Sequence, residues 1–124
     1  MINYKTKSIR SFIGAKNYAT SKAFYCALGF KEVVISQNMC LFVINEDLSF
    51  YLQDAYVKDW INNSMLFLEV EDVEKCKSDL LARKLIEKFP AVRFSEIKNE
   101  VWGKELFMHY PSGVLWHFGQ FYSK

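Results

Sequence analysis

His117 stands between Trp116 and Phe118 in an apolar run. Strand alternation puts its imidazole on the face opposite both aromatics. An imidazole there can hydrogen-bond a ligand or move a proton near neutral pH, or it can simply be satisfied by a neighbouring strand. His109 lies at the edge of the turn containing Pro111-Ser112-Gly113, a rim position. Arg10 either faces a pocket, where it would grip an anionic group by a charge-assisted pair, or is a surface arginine at the start of a strand. In Met65 to Glu71, alternation puts Met65, Phe67, Glu69 and Glu71 on one face and Leu66, Leu68 and Val70 on the other. Glu69 is then either the acid of a pocket or half of an ion pair with a lysine at the sheet edge.

Aromatic residues make up 17% of the chain, and most of them must be core. Phe42, Tyr51, Phe67 and Phe107 alternate with the other apolar set and are candidates to line a cavity instead. An aromatic wall with few polar groups suits flat or amphipathic organic molecules. Cys26, Cys40 and Cys76 are odd in number, widely spaced and set in apolar patterns. They read as free thiols packed as small hydrophobes, and without a CxxC pair they do not form a structural zinc site.

The elements that position these residues follow from pattern and punctuation. Two aromatic-rich runs around Pro111-Ser112-Gly113 predict a β-hairpin from Leu106 to Phe121, with Gly103 a turn or bulge. An earlier stretch, Cys40 to Gln53, has a related design. Aligned on the turns, Leu41-Phe42 falls on Leu106-Phe107, and Phe50-Tyr51-Leu52 falls on Trp116-His117-Phe118. The chain thus reads as two copies of one module, so that Tyr51 and His117 are symmetry-related and face the same space. The first module has a strand from Ser8 to Ala15, a helix from Lys22 to Leu28 capped by Thr20 or Ser21 and ended by Gly29, and strands Phe30 to Ser36, Met39 to Asn45 and Leu48 to Gln53. The second has a strand Met65 to Val70, a helix Val73 to Lys84 capped by Asp72, a strand Phe94 to Trp102 with weak alternation, and the hairpin. Between them, residues 55–63 form a linker in which Val57 to Ile61 makes a helical turn or two and Trp60 packs as a lid or interface residue.

Length and composition bound the rest. The 124 residues, 51% hydrophobic, make one domain over 1–124, with module one at about 8–54 and module two at about 64–121. A chain of this size removes roughly two thirds of its unfolded surface from water. The net charge of +2 comes without a long basic block, which calls for neither nucleic acid nor an anionic membrane. No apolar run approaches the ~20 residues of a membrane span, and the N-terminus lacks the apolar core of a signal peptide. A cytosolic location is the expectation.

Three stretches resemble the glyoxalase/bleomycin-resistance/extradiol-dioxygenase group, the vicinal oxygen chelate superfamily. Phe12 to Asn17 followed by Ser21-Lys22-Ala23-Phe24-Tyr25-Cys26-Ala27-Leu28-Gly29-Phe30 is similar to its opening strand and helix. Phe67 to Val73 is similar to its second-module strand. Trp102-Gly103 with Tyr110 to Phe118 is similar to its closing hairpin, Tyr110 standing in the usual Asp place. The likeness spans residues 8 to 121. It implies an α+β fold of two βαβββ modules whose curled mixed sheets surround a cavity, with Trp102 at its mouth. It does not imply one reaction, because function lives in the site.

Metal-using members of that superfamily place ligands at four strand positions, which fall here on Arg10, near Tyr51, on Met65 and on His117. A guanidinium cannot ligate, and a thioether suits Cu(I) rather than the harder divalent ions. The resemblance therefore implies a metal-free protein without a cofactor that binds, and possesses no assigned reaction for, an aromatic or amphipathic compound. Its site residues would be Arg10, Phe42, Tyr51, Met65, Phe67, Trp102, Phe107 and His117. The alternatives are a metal-dependent lyase or isomerase of the glyoxalase kind and a dimeric scaffold with a vestigial pocket. Open half-sheets expose strand edges and apolar surface, so a homodimer is expected.

Overall fold

The structure, a computed structural model, describes residues 4–122. Two units repeat the same order of a strand, a helical segment and further strands. In the first, β1 (Phe12–Gly14), α1 (Tyr18–Ala27), β2 (Lys31–Ser36), β3 (Met39–Val43) and β4 (Ser49–Gln53) form a sheet ordered β1-β4-β3-β2, with β1 parallel to β4. A short α2 (Lys58–Ile61) leads to the second: β5 (Met65–Glu69), α3 (Val73–Ala82), α4 (Leu85–Lys88), β6 (Arg93–Phe94), β7 (Lys98–Asn99), β8 (Gly103–His109) and β9 (Leu115–Phe121). Its sheet runs β5-β9-β8-β6, with β7 also on β8 and β5 parallel to β9. The expected α+β architecture of two mixed sheets is present.

Capping sets the helix boundaries. Asn17, in extended conformation, accepts from the Thr20 amide at 3.0 Å, so α1 begins at Tyr18. The expected caps Thr20 and Ser21 lie inside the helix instead, and Ser21 is buried. Gly29 ends α1 with φ of 97°, a left-handed position that suits glycine. Asp72 caps α3 through the Glu74 and Lys75 amides, as the sequence predicts. The weak alternation of residues 94–102 corresponds to two short strands rather than one. There Ser95 replaces the ladder, its hydroxyl accepting from the Phe107 amide at 2.9 Å while its own amide donates to the Phe107 carbonyl.

The helix-facing sides of both sheets share one core. Tyr25 of α1 sits among Phe42, Phe50 and Trp116, with ring centroids 5.4, 5.1 and 5.8 Å away. Phe50 and Trp116, the matching residues of the two modules, meet at 5.4 Å. The Trp116 indole donates to the Tyr25 hydroxyl at 3.2 Å, and burial pushes that phenol's pKa far upward. The two modules are thereby joined through aromatic surface.

The strand register corrects the internal alignment by one residue. Leu41 lies opposite Tyr51, and Phe107 lies opposite His117. Leu41 therefore matches Phe107, and Phe42 matches Met108. A one-residue slip moves a side chain to the other face. Phe42, expected at the cavity, is fully buried on the helix side. The cysteines are free, and burial pushes each thiol's pKa above its ordinary value.

Candidate functional site

The faces turned away from the helices carry the remaining expected site residues, in two clusters. On the first sheet, Phe12 and Tyr51 are register partners, and their rings stack at 5.0 Å. Arg10 ties this pair down. Its Nε donates to Ser49 Oγ at 2.8 Å and its Nη1 to the Tyr51 hydroxyl at 3.2 Å. One guanidinium nitrogen thus holds the Tyr51 hydroxyl and a second anchors the group to Ser49.

On the second sheet, His117 and Phe107 are cross-strand partners whose rings meet edge-to-face at 4.9 Å. Phe67 of β5 lies 6.3 Å from the imidazole on the other side. Trp102, in the turn before β8, packs on Phe67 at 5.7 Å and on Phe121 at 4.9 Å. Met65 brings its sulfur to 3.5 Å from His117 Nε2. Phe67 is nearly half exposed and Met65 more so, which leaves this aromatic surface open.

Glu105 completes the second cluster and was not anticipated. Its Oε2 lies 3.1 Å from His117 Nδ1, and the residue is 8% exposed. The signal was available in the hairpin. Glu105 pairs with Gly119, so it stands diagonally from His117 on the same face. Gly119 makes the arrangement possible. A Cβ there would collide with the Phe67 ring, whose Cε2 would be 2.7 Å away. Only a glycine leaves the hollow into which Phe67 settles.

A cleft of about 850 Å³ opens between the modules, where residues 8–11 and the β3-to-β4 turn face β5. Arg10 and Phe67 are in its walls, with Leu48, Ser49 and Glu69. Glu69 thus borders a cavity, and among the described residues it closes no ion pair. Tyr51 and His117 both occupy helix-free faces, as the repeat predicts, but on different sheets and in separate clusters. His109 is exposed at the rim, its Nε2 3.1 Å from the Gly113 carbonyl oxygen. Trp60, expected as a lid or interface residue, is 74% exposed.

No protein-family model and no curated protein sequence matches the chain. Solved structures do. An antibiotic binding protein from Streptomyces sp. CB03234 superposes with a TM-score of 0.73 at 20% identity, covering 97% of this chain and 100% of that one. The chain has the glyoxalase/bleomycin-resistance fold. A bleomycin-binding protein from Streptomyces verticillus, solved with copper(II)-bleomycin, has a TM-score of 0.68 at 15% identity, covering 95% and 97% of the two chains. A fosfomycin resistance protein from Listeria monocytogenes, solved with Mn(II) and sulfate, has a TM-score of 0.70 at 13% identity, covering 98% and 93%. The glyoxalase/bleomycin-resistance fold thus hosts metal-holding and antibiotic-binding sites alike, and these identities carry the fold alone.

At the positions where metal-using members place ligands, this chain has Arg10, Tyr51, Met65 and His117. Arg10 and the Tyr51 hydroxyl are bonded to each other, and Met65 offers a thioether. Among the described residues, no three of His, Cys, Asp and Glu come together. Among those residues, too, no helix is long and apolar enough to cross a membrane.

Proposed function

We propose that this chain binds a flat aromatic or amphipathic small molecule without a metal, on the helix-free faces of its sheets. The observation that carries this reading is the open aromatic cluster of Phe67, Trp102 and Phe107 around a single polar couple, His117 and Glu105. Apolar walls with few, well-placed polar groups are the usual composition of small-molecule sites. The antibiotic- and bleomycin-binding proteins of the same fold support the ligand class. Tyr51, braced by Arg10, supplies a second aromatic surface.

Elemental analysis of the purified protein is expected to find no stoichiometric zinc, nickel, manganese or iron. About one such ion per chain, lost on His117→Ala, would overturn the metal-free reading and favour a lyase or isomerase.

The site is completed, in this reading, by a second copy. Phe12, Val34, Ile35, Trp60, Met65 and Phe67 are exposed apolar residues, several of them on the same open faces. Exposed apolar area of this kind marks a surface that is covered in use. A twofold axis would set the Tyr51 cluster of one chain opposite the His117 cluster of the other. Light scattering at micromolar concentration is expected to give twice the 14.6 kDa chain mass. A monomer mass would remove this part of the proposal.

A further inference from the structure

Glu105 and His117 form a carboxylate–imidazole couple that aromatic binding alone does not require. We infer that this couple accepts the proton of a weakly acidic hydroxyl on the ligand, so that a phenol or enol binds as its anion. The inference rests on the proposed aromatic site and specifies the class of compound it selects.

The hydrogen-bond inventory fixes the proton. An ionised carboxylate only accepts, so the proton between Glu105 Oε2 and His117 Nδ1, 3.1 Å apart, belongs to the ring nitrogen. In the neutral imidazole, Nε2 then carries a lone pair. The atom it faces is Met65 Sδ at 3.5 Å, which has no proton to give. Among the described residues Nε2 thus has no donor, and a ligand O–H is the partner that fits. When that O–H gives up its proton, the electron pair stays on oxygen and the proton bonds to Nε2. The product is an imidazolium held between the Glu105 carboxylate and the ligand's oxyanion, with a charge-assisted hydrogen bond on each side.

The surroundings suit this exchange. Met65 is 63% exposed and unbranched, so an incoming hydroxyl can displace its weakly accepting sulfur. Phe67 and Phe107 flank the imidazole and place an aromatic ligand's ring beside their own. The charged groups on the packed elements are Glu105 on β8, Glu69 two residues beyond Phe67 on β5, and Lys98 on β7. The Lys98 ammonium stands over the Phe107 ring, 5.5 Å from its centroid, on the β8 side of the imidazole with Glu105.

The test compares 4-nitrophenol with its methyl ether, 4-nitroanisole, in buffer acidic enough to keep the free phenol colourless. The wild-type protein is expected to bind the phenol about tenfold or more tightly than the ether, with the yellow phenolate spectrum in the bound state. Glu105→Gln preserves shape but removes the charge. It is expected to abolish the bound phenolate spectrum and to bring the ratio of phenol to ether affinity, measured within the same variant, down to about one. His117→Asn is expected to do the same. Ether and phenol binding equally, with no phenolate spectrum, would overturn this inference and leave the aromatic site standing. Equal losses for both probes in Glu105→Gln would also overturn it, by making the couple structural. If neither probe bound, the aromatic-site proposal would fall with it.

Discussion

Trp116→Ala is expected to cost about 3–5 kcal/mol of folding stability, the range for removing a large buried aromatic. The indole is 1% exposed and packs on Tyr25, Phe30, Phe50 and Phe118. Its loss leaves a cavity at the junction of the modules and strips the Tyr25 hydroxyl of its donor. Domains of this size have about 5–15 kcal/mol in all, so the variant should lose a large fraction of its stability. Trp116→Phe keeps most of the packing and should fall between. Val101→Ala, at a fully exposed position, should change stability by no more than about 0.5 kcal/mol. Urea unfolding checks all three. A loss below about 1 kcal/mol for Trp116→Ala would mean that the modules do not share the core described, since burial of this kind cannot be removed so cheaply.

The second large effect concerns ligand affinity. Tyr51→Ala is expected to weaken binding of an aromatic ligand by about 1–3 kcal/mol, roughly 5- to 150-fold, as truncation of an aromatic anchor does. The ring is pre-positioned by Phe12 and by the Arg10 hydrogen bond, so little entropy is lost when a ligand stacks on it. Tyr51→Phe keeps the ring and gives up the bond to Arg10, and it should retain most of the affinity. Calorimetric titration separates the two. Undiminished binding by Tyr51→Ala would confine the site to the second sheet.

Much of this was legible in the chain. The hairpin, the two-module repeat and the cap at Asp72 follow from strand alternation and cap chemistry, which act over a few residues. The errors came where the competing signals were equally local. Asn17, Thr20 and Ser21 can each cap a helix, and only the folded backbone shows which does. Phe42 lies on the helix side because Leu41, not Phe42, corresponds to Phe107, and in a strand a one-residue slip reverses every side chain. Glu105 went unnoticed because a Lys-Glu pair in a strand reads as solvated surface. Its burial depends on Gly119 and Phe67, which come from two other strands. Which space the clusters face is a matter of how the modules pack, and no local pattern encodes it.

The central claim is that the open aromatic faces bind an organic ligand without a metal. The most direct measurement is a tryptophan fluorescence titration with a planar naphthalene-class probe, with and without excess chelator. Trp102 packs on Phe67 within the second cluster and reports on the site. The account predicts saturable quenching with the same affinity in both conditions. Affinity that vanished with chelator and returned with one equivalent of a divalent ion would contradict it, as would the absence of saturable quenching.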